Sequence, residues 1–548
     1  MNLKSGFLVT ITLFFSLATF AQNSLPKPKL VVGVVVDQMR WDYLYRFQDR
    51  YADNGFKRLL DEGFSCENTY INYVPTYTAI GHSSIYTGSV PAIHGIAGND
   101  FIIQSSGESM YCTQDDAVEG VGVKGKVGMQ SPKNLLTSTI TDQLKLATNF
   151  KSKVIGIAMK DRGGILPAGH FADAAYWFDG QSGTWISSTF YMKELPKWVS
   201  DFNAAKPTEK YLNQTWNTLY PIETYTLSTA DNTVYEGKFK GEVAPVFPRD
   251  LNKLKAENGL DLIKGTPFGN TLTLDLAKAA IENENLGKNP EGVTDFLAVS
   301  LSSTDYIGHQ FGIDAIEIED TYLRLDADLA SLISYLDEHI GKDEYTLFLS
   351  ADHGAAHNPR YFRDKKGNAG YFDTKKHKAE INMMLELKFG EKELVNSLMN
   401  YQVHLNNALI ANEKLDESDI REAIVAYMKK MDGVAFVTDM DKTSMASIPA
   451  RIKERIINGY HIKRSGVIQY ILEPQWFSGT ENGTGTTHGT WGSYDAHIPL
   501  VFMGWGVNKG KSNRETHMVD IAPTLAAILK IEEPNGNIGV PIEEVIKK

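Results

Sequence analysis

The sequence predicts an α/β fold: a doubly wound, mostly parallel central sheet with helices on both faces and two cap-like insertions. Three observations predict it. Short β-branched runs, apolar on both faces, recur along the chain. Helical patterns lie between them. Small or polar residues suited to catalysis follow directly after the runs.

The first run is Leu30–Val36 (LVVGVVV), which ends at Asp37. Residues 153–159 (KVIGIAM) end at Lys160, and residues 296–302 (FLAVSLS) lead into Asp305. Tyr345–Ser350 (YTLFLS) leads into Asp352, and residues 498–503 (IPLVFM) end at Gly504. Apolar character on both faces reads all five as central parallel strands. Helices are expected over residues 43–60, 134–147, 316–340 and 518–529. Two stretches break the alternation. Residues from about 165 to 265 are rich in Trp, Tyr, Pro and Asn; residues from about 358 to 486 mix a charged helical region with strand-like runs. Both read as insertions or caps within one domain spanning 22–548.

The N-terminus reads as a signal peptide over residues 1–21. Lys4 supplies positive charge, residues 6–20 are an apolar run too short for a comfortable span, and Thr19 and Ala21 place small residues before a cut at Gln22. No later segment is apolar enough to cross a membrane. The expectation is an exported protein, periplasmic or secreted, without stable membrane insertion after cleavage, and a monomer or weak oligomer. A net charge of −12 argues against nucleic acid as the main partner, because an acidic chain gains nothing from displacing phosphate counterions. Cys66 and Cys112 are the only cysteines. They form either a disulfide or two inert buried thiols, and they are too few for a thiolate metal site. Any metal must therefore sit on Asp, His and hydroxyl groups.

Such groups gather at the expected strand ends. Asp305 and His309 are four apart in STDYIGHQ, which puts both on one face of a helical turn. Asp352 and His353 are adjacent in SADHG, Asp37 ends the first strand, and His488 lies in the Gly/Thr-rich GTGTTHGT. Each alone reads as a cap or a satisfied structural group; a shared sheet edge is what independent caps would not require. Oxygen and imidazole donors without thiolate suit Zn²⁺ in an open catalytic site, and Mn²⁺ or Fe²⁺ less well. Thr78, in VPTYTAIGHSSIYTG, stands near a helix N-terminus, where amide groups and the dipole favour an anion; taken alone it reads as a plain N-cap threonine. Asn99 follows a Gly-rich segment, and Lys160 and Arg162 flank Asp161 in MKDRGG, where they either donate to an anion's oxygens or form a solvated surface pair. His82, His94, His170, His357 and His497 read as packing or hydrogen-bonding groups. Trp177, Trp185 and Tyr191 read as cap packing, with a substrate entrance as the alternative.

Taken in order, VVDQMRWDYL, PTYTAIGHSSIYTGSVPAIHGIAGND, KDR after a strand, STDYIGH, SADHG and the late GTTH resemble the alkaline phosphatase superfamily, in particular its flavobacterial PafA-type alkaline phosphatases. The likeness runs from about Pro28 to the C-terminus. It implies a zinc-dependent hydrolase of small-molecule phosphate monoesters that works through a covalent phosphothreonine. It implies two Zn²⁺ per chain, one held by Asp305, His309 and His488, the other by Asp37, Asp352 and His353 with Thr78 as nucleophile beside it. Asn99, Lys160 and Arg162 would contact the phosphoryl oxygens. A phosphodiesterase or nucleotide pyrophosphatase of the same superfamily is the alternative, and a non-catalytic exported binding protein a more distant one. Two cations opposite the nucleophile favour the dianionic monoester over a diester.

Overall fold

The computed structural model describes residues 26–547; the signal-peptide reading of residues 1–21 lies outside them. A ten-stranded sheet runs through the centre. Across it the strands are Gly510–Ser512, Phe64–Cys66, Leu500–Gly504, Tyr345–Ser350, Leu30–Val36, Asp295–Leu301, Val154–Ala158, Ala174–Asp179, Thr184–Ser188 and Gly120–Val121. The five from Tyr345–Ser350 to Ala174–Asp179 are mutually parallel, and Val34 sits between Val299 and Leu349 in register. Leu30–Val36, Asp295–Leu301 and Tyr345–Ser350 are buried at every position, as expected of strands covered by helices on both faces.

One strand differs from expectation. Leu500–Gly504 is buried but antiparallel to Tyr345–Ser350. A run apolar on both faces reports burial on both faces; it carries no information about direction.

The expected helices exist with altered bounds. The first breaks into Tyr43–Arg46, a turn at Gln48–Arg50, and Phe56–Glu62. The second starts at Ile140, because Thr139 and Asp142 form a reciprocal capping box there. Ile316–Leu336 runs on into a wide turn at Asp337–Gly341, and the last helix is Ile521–Leu529 after a 3₁₀ turn at Met518–Asp520.

The 165–265 stretch gives two strands, Ala174–Asp179 and Thr184–Ser188, to the central sheet; Trp177 and Trp185 are buried. The later stretch contains a separate four-stranded antiparallel sheet in the order Val395–Ser397, Gln402–Leu405, Ile468–Leu472, Val434–Asp439. Helices Thr374–Phe389 and Glu417–Met428 close its own apolar cluster around Phe372, Ile381, Val403, Ile424 and Tyr470. Cys66 and Cys112 are both free and buried. Among the described residues no helix is long and apolar enough to cross a membrane.

Candidate active site

The carboxyl ends of the parallel strands converge on one place. Leu30–Val36 delivers Asp37, and Tyr345–Ser350 delivers Asp352 and His353. Asp295–Leu301 leads into helix Ser303–Phe311, which carries Asp305 and His309 one turn apart. Val154–Ala158 delivers Lys160 at the cap of helix Asp161–Ala168, with Arg162 in its first turn. Thr78 is the first residue of helix Thr78–Thr87. That helix lies close against Asp352: a Cβ on Gly81 would run into the Asp352 backbone carbonyl.

Asp305, His309 and His488 bring one donor atom each within 4.8 Å of one another, and so do Asp37, Asp305 and His353. Asp305 thus stands between the two groups. Asp352 joins the second through its Oδ2, 3.3 Å from His353 Nε2. The three histidines are oriented alike. Nδ1 of His309 faces the Thr486 carbonyl at 2.8 Å, Nδ1 of His353 the Gly354 carbonyl at 3.0 Å, and Nδ1 of His488 the Thr76 carbonyl at 2.6 Å. A carbonyl fixes a proton on Nδ1, so in the neutral ring each Nε2 is a lone-pair donor aimed at the carboxylates, although Asp305 raises His309 above its ordinary value. The His353 and His488 rings stack with centroids 3.4 Å apart.

The charges do not balance within the protein. Lys160 Nζ lies 2.5 Å from Asp305 Oδ2 and 2.7 Å from Asp37 Oδ2. Burial alone would lift the Asp305 carboxyl, but His309 and Lys160 hold it well below the ordinary range. Burial pushes Asp37 up in spite of Lys160, and burial together with the Asp37 charge lifts Asp352 well above its ordinary value. Asp37 Oδ1 and Asp352 Oδ2 are buried without a hydrogen-bond partner, and Asp37 Oδ2 has only the Lys160 ammonium. Three carboxylates served by one ammonium, with orphaned oxygens facing the His353 Nε2, which burial keeps unprotonated, make a donor set that fits divalent cations.

Around this set stand the remaining groups. Thr78 Oγ1 lies 3.4 Å from His353 Nε2 and 3.5 Å from Lys160 Nζ. Asn99 Oδ1 accepts from the Ala79 backbone N–H at 2.9 Å, which leaves its amide nitrogen as the free end. Arg162 Nη1 donates to the Tyr111 hydroxyl at 3.0 Å, and that hydroxyl donates to Asp161 at 2.5 Å. Arg162 Nε is buried without a partner.

Two site neighbours escape a reading of the sequence. Gln38, held at φ +65°, donates from its backbone to Asp352 Oδ1 at 3.1 Å and from Nε2 to Asp305 Oδ1 at 2.6 Å, joining the two groups. Its only signal is adjacency to Asp37. Tyr111 orients Arg162 from 51 residues away with no motif at all. His82, one turn along from Thr78, meets the Thr78 carbonyl and Ser300 Oγ at 2.9 Å each, and burial pushes it down to about 4, so it is a neutral hydrogen-bonding group. His357 pairs with Asp314 at 2.8 Å, away from both donor groups.

Residues 31–495 match the family described as type I phosphodiesterase / nucleotide pyrophosphatase. A Myroides odoratus protein named "Calcium-transporting ATPase" is 68% identical over 100% of both chains. Alkaline phosphatase PafA of Elizabethkingia meningoseptica is 51% identical over 96% of this chain and 95% of that one. The crystal structure of wild-type PafA superposes with a TM-score of 0.93, covering 96% of this chain and 100% of that chain. A PafA variant with one threonine, one asparagine, one lysine and one arginine replaced has also been solved, with a TM-score of 0.92 and the same coverage. A mostly parallel sheet with acidic and imidazole donors at its carboxyl edge, matched over this length, defines the class: the chain belongs to the alkaline phosphatase superfamily. Within it the chain is of the PafA type, an alkaline phosphatase and so a phosphoric monoester hydrolase.

Proposed function

We propose that this enzyme hydrolyses phosphate monoesters in two displacements at Thr78, with two Zn²⁺ ions held by Asp305, His309 and His488 and by Asp37, Asp352 and His353. The observation that carries the reading is the Thr78 hydroxyl at a helix N-terminus, 3.4 Å from His353 Nε2 and 3.5 Å from Lys160 Nζ. The residue types replaced in the solved PafA variant, Thr, Asn, Lys and Arg, are those of Thr78, Asn99, Lys160 and Arg162.

When bound, the ions supply Lewis acidity that lowers the pKa of an adjacent hydroxyl and takes up charge on a departing oxygen. The chain's own residues do the rest. Thr78 Oγ gives up its proton to solvent and forms a bond to phosphorus while the ester P–O bond breaks, and the leaving oxygen departs with the electron pair and takes up a proton from solvent. The Asn99 amide nitrogen, the free guanidinium edge of Arg162 and the Lys160 ammonium hold the equatorial oxygens, whose charge a loose transition state spreads. Water then attacks the phosphothreonine, the P–Oγ bond breaks and inorganic phosphate leaves. Burial of Thr78 keeps bulk water from competing in the first step.

The family description also admits diesterases. Two cations facing Thr78 favour the dianion, since a diester carries one charge fewer and an extra organic group. No observation here favours calcium transport. The four-stranded sheet and its helices read as a cap beside the site, and the N-terminus as an export signal.

The test is chemical. Wild-type enzyme quenched in acid during turnover should retain phosphate bound through oxygen to Thr78. Thr78→Ala should form no phosphoenzyme while keeping nearly all its metal. Wild-type turnover by that variant would remove Thr78 from its role.

A further inference from the structure

Beside Thr78 lies a groove of about 330 Å³ that the two displacements do not use. One wall is Tyr77, the residue that caps the nucleophile's helix. The rest of the lining belongs to the small four-stranded sheet and its first helix, with Tyr401, Tyr470 and Asn400 from the one and Lys375 and Lys378 from the other. The Tyr77 and Tyr401 rings lie nearly parallel, 19° apart in plane and 6.4 Å between centroids. Tyr77 also meets the His488 ring edge-on at 5.6 Å, so one ring touches both the groove and the Asp305, His309 and His488 group.

The turn that presents Tyr401 is unusual. Asn400 and Tyr401 are consecutive non-glycine residues in left-handed backbone, at φ +59° and +58°. Such a pair persists only where its surroundings over-determine it. Here Asn400 Nδ2 donates to the Asp100 carbonyl at 2.8 Å, tying the turn to the loop that carries Asn99. The small sheet is therefore fastened to the phosphoryl-binding side at the point where it lays an aromatic ring beside Tyr77. The two lysines come from one helical turn. Lys378 shares its charge with Glu393 at 3.1 Å, whereas Lys375 is exposed and makes no ion pair among the described residues.

We infer that this groove is a leaving-group subsite for aromatic phosphate esters that carry a second anionic group. The inference rests on the monoesterase reading of Thr78. An in-line displacement sends the ester oxygen away from the nucleophile, and the ring attached to it then has Tyr77 and Tyr401 to stack on. The volume suits one ring system with its substituent. An anionic substituent on that ring points out toward Lys375 and Lys378, in an otherwise acidic protein of net charge −12. Specificity of this kind acts on the alcohol half of the substrate and leaves the phosphoryl contacts alone.

The experiment compares 4-carboxyphenyl phosphate with phenyl phosphate as substrates of the metal-loaded full chain. The quantity read is the ratio of their kcat/KM values. The intrinsic effect of the carboxylate on the leaving group is the same for every variant, so a change in the ratio reports the protein. In Lys375→Glu/Lys378→Glu, two substitutions on a solvated helix face, the ratio should fall about tenfold or more, and the fall should shrink in high salt. A ratio that stays at the wild-type value overturns the subsite. Tyr401→Leu should lower phenyl phosphate relative to ethyl phosphate by at least about threefold. Should that variant not fold, inhibition of the wild type and the double lysine variant by 4-hydroxybenzoate decides: equal inhibition overturns the proposal. Failure of the wild type to turn over any monoester would instead sink the monoesterase reading, which keeps the two failures apart.

Discussion

Lys160 reaches two carboxylates and the Thr78 hydroxyl with a single ammonium, from a fully buried position. Such a group cannot be exchanged without leaving charge behind. Lys160→Ala, alone and with Arg162→Ala, should lower monoester kcat/KM by about 10²-fold or more, the scale of losing a preorganised donor to transition-state charge. Diester turnover should fall far less, because a diester has one charge fewer to hold. Equal losses on both esters would remove the electrostatic basis for monoester preference. The donor atoms themselves make a second prediction. Chelation should abolish turnover and also lower thermal stability, since Asp37 Oδ1 and Asp352 Oδ2 are then left buried without partners. Metal analysis and melting curves on one sample check this; an unchanged melt would mean that these carboxylates hold no ion.

At the scale of elements, the site depends on how closely helix Thr78–Thr87 approaches the Asp352 strand end. Gly81 sets that approach, and any Cβ there meets the Asp352 backbone. Gly81→Ala should therefore shift the helix off the sheet edge, costing about 1–3 kcal/mol of stability by overpacking and lowering kcat more than KM. Denaturant unfolding beside steady-state kinetics would show it; a fully active, fully stable variant would mean the approach is slack. The sequence discloses these elements unevenly. The three wholly buried strands are plain because their two faces see the same apolar surroundings. The direction of Leu500–Gly504 is hidden, because direction is set by the connections and not by side-chain polarity. Residues 43–60 keep an apolar period through a break between Arg46 and Phe56, where Asp326 from a distant helix accepts from the Ala52 and Phe56 amides.

Across the whole molecule, buried neutral histidines link stability to acidity. Burial pushes His94 down to about 3 and His404 to about 4, and neither is part of the donor set. A histidine whose folded pKa is depressed contributes stability that is full above its unfolded value near 6.5 and is lost as pH falls toward 4 and then 3. Unfolding should thus become easier from about pH 6.5 downward. His404, in the small sheet, has no partner on either ring nitrogen, so an apolar replacement strands nothing. His404→Leu should cost under about 1.5 kcal/mol at pH 7 and recover up to about 3 kcal/mol of the acid loss by pH 4. Urea unfolding across that range checks it, and a parallel pH dependence in the two proteins would exclude His404 as a source.

What the sequence by itself determined was chemistry and order. It showed which side chains are of a type to hold a cation or an anion, that Thr78 lies near a helix N-terminus, and that Asp37, Lys160, Asp305 and Asp352 follow strands of one sheet. These are local properties, written in short windows of sequence. Tertiary structure alone decided which of them touch. It put Asp305 between two donor groups, set Lys160 across two carboxylates, and chose each histidine's proton through carbonyls as distant in the chain as Thr76 is from His488. It also brought Tyr401 beside Tyr77 and Gln38 between Asp305 and Asp352. Contacts between residues hundreds of positions apart arise from packing over the whole chain, and no short window of sequence contains both partners.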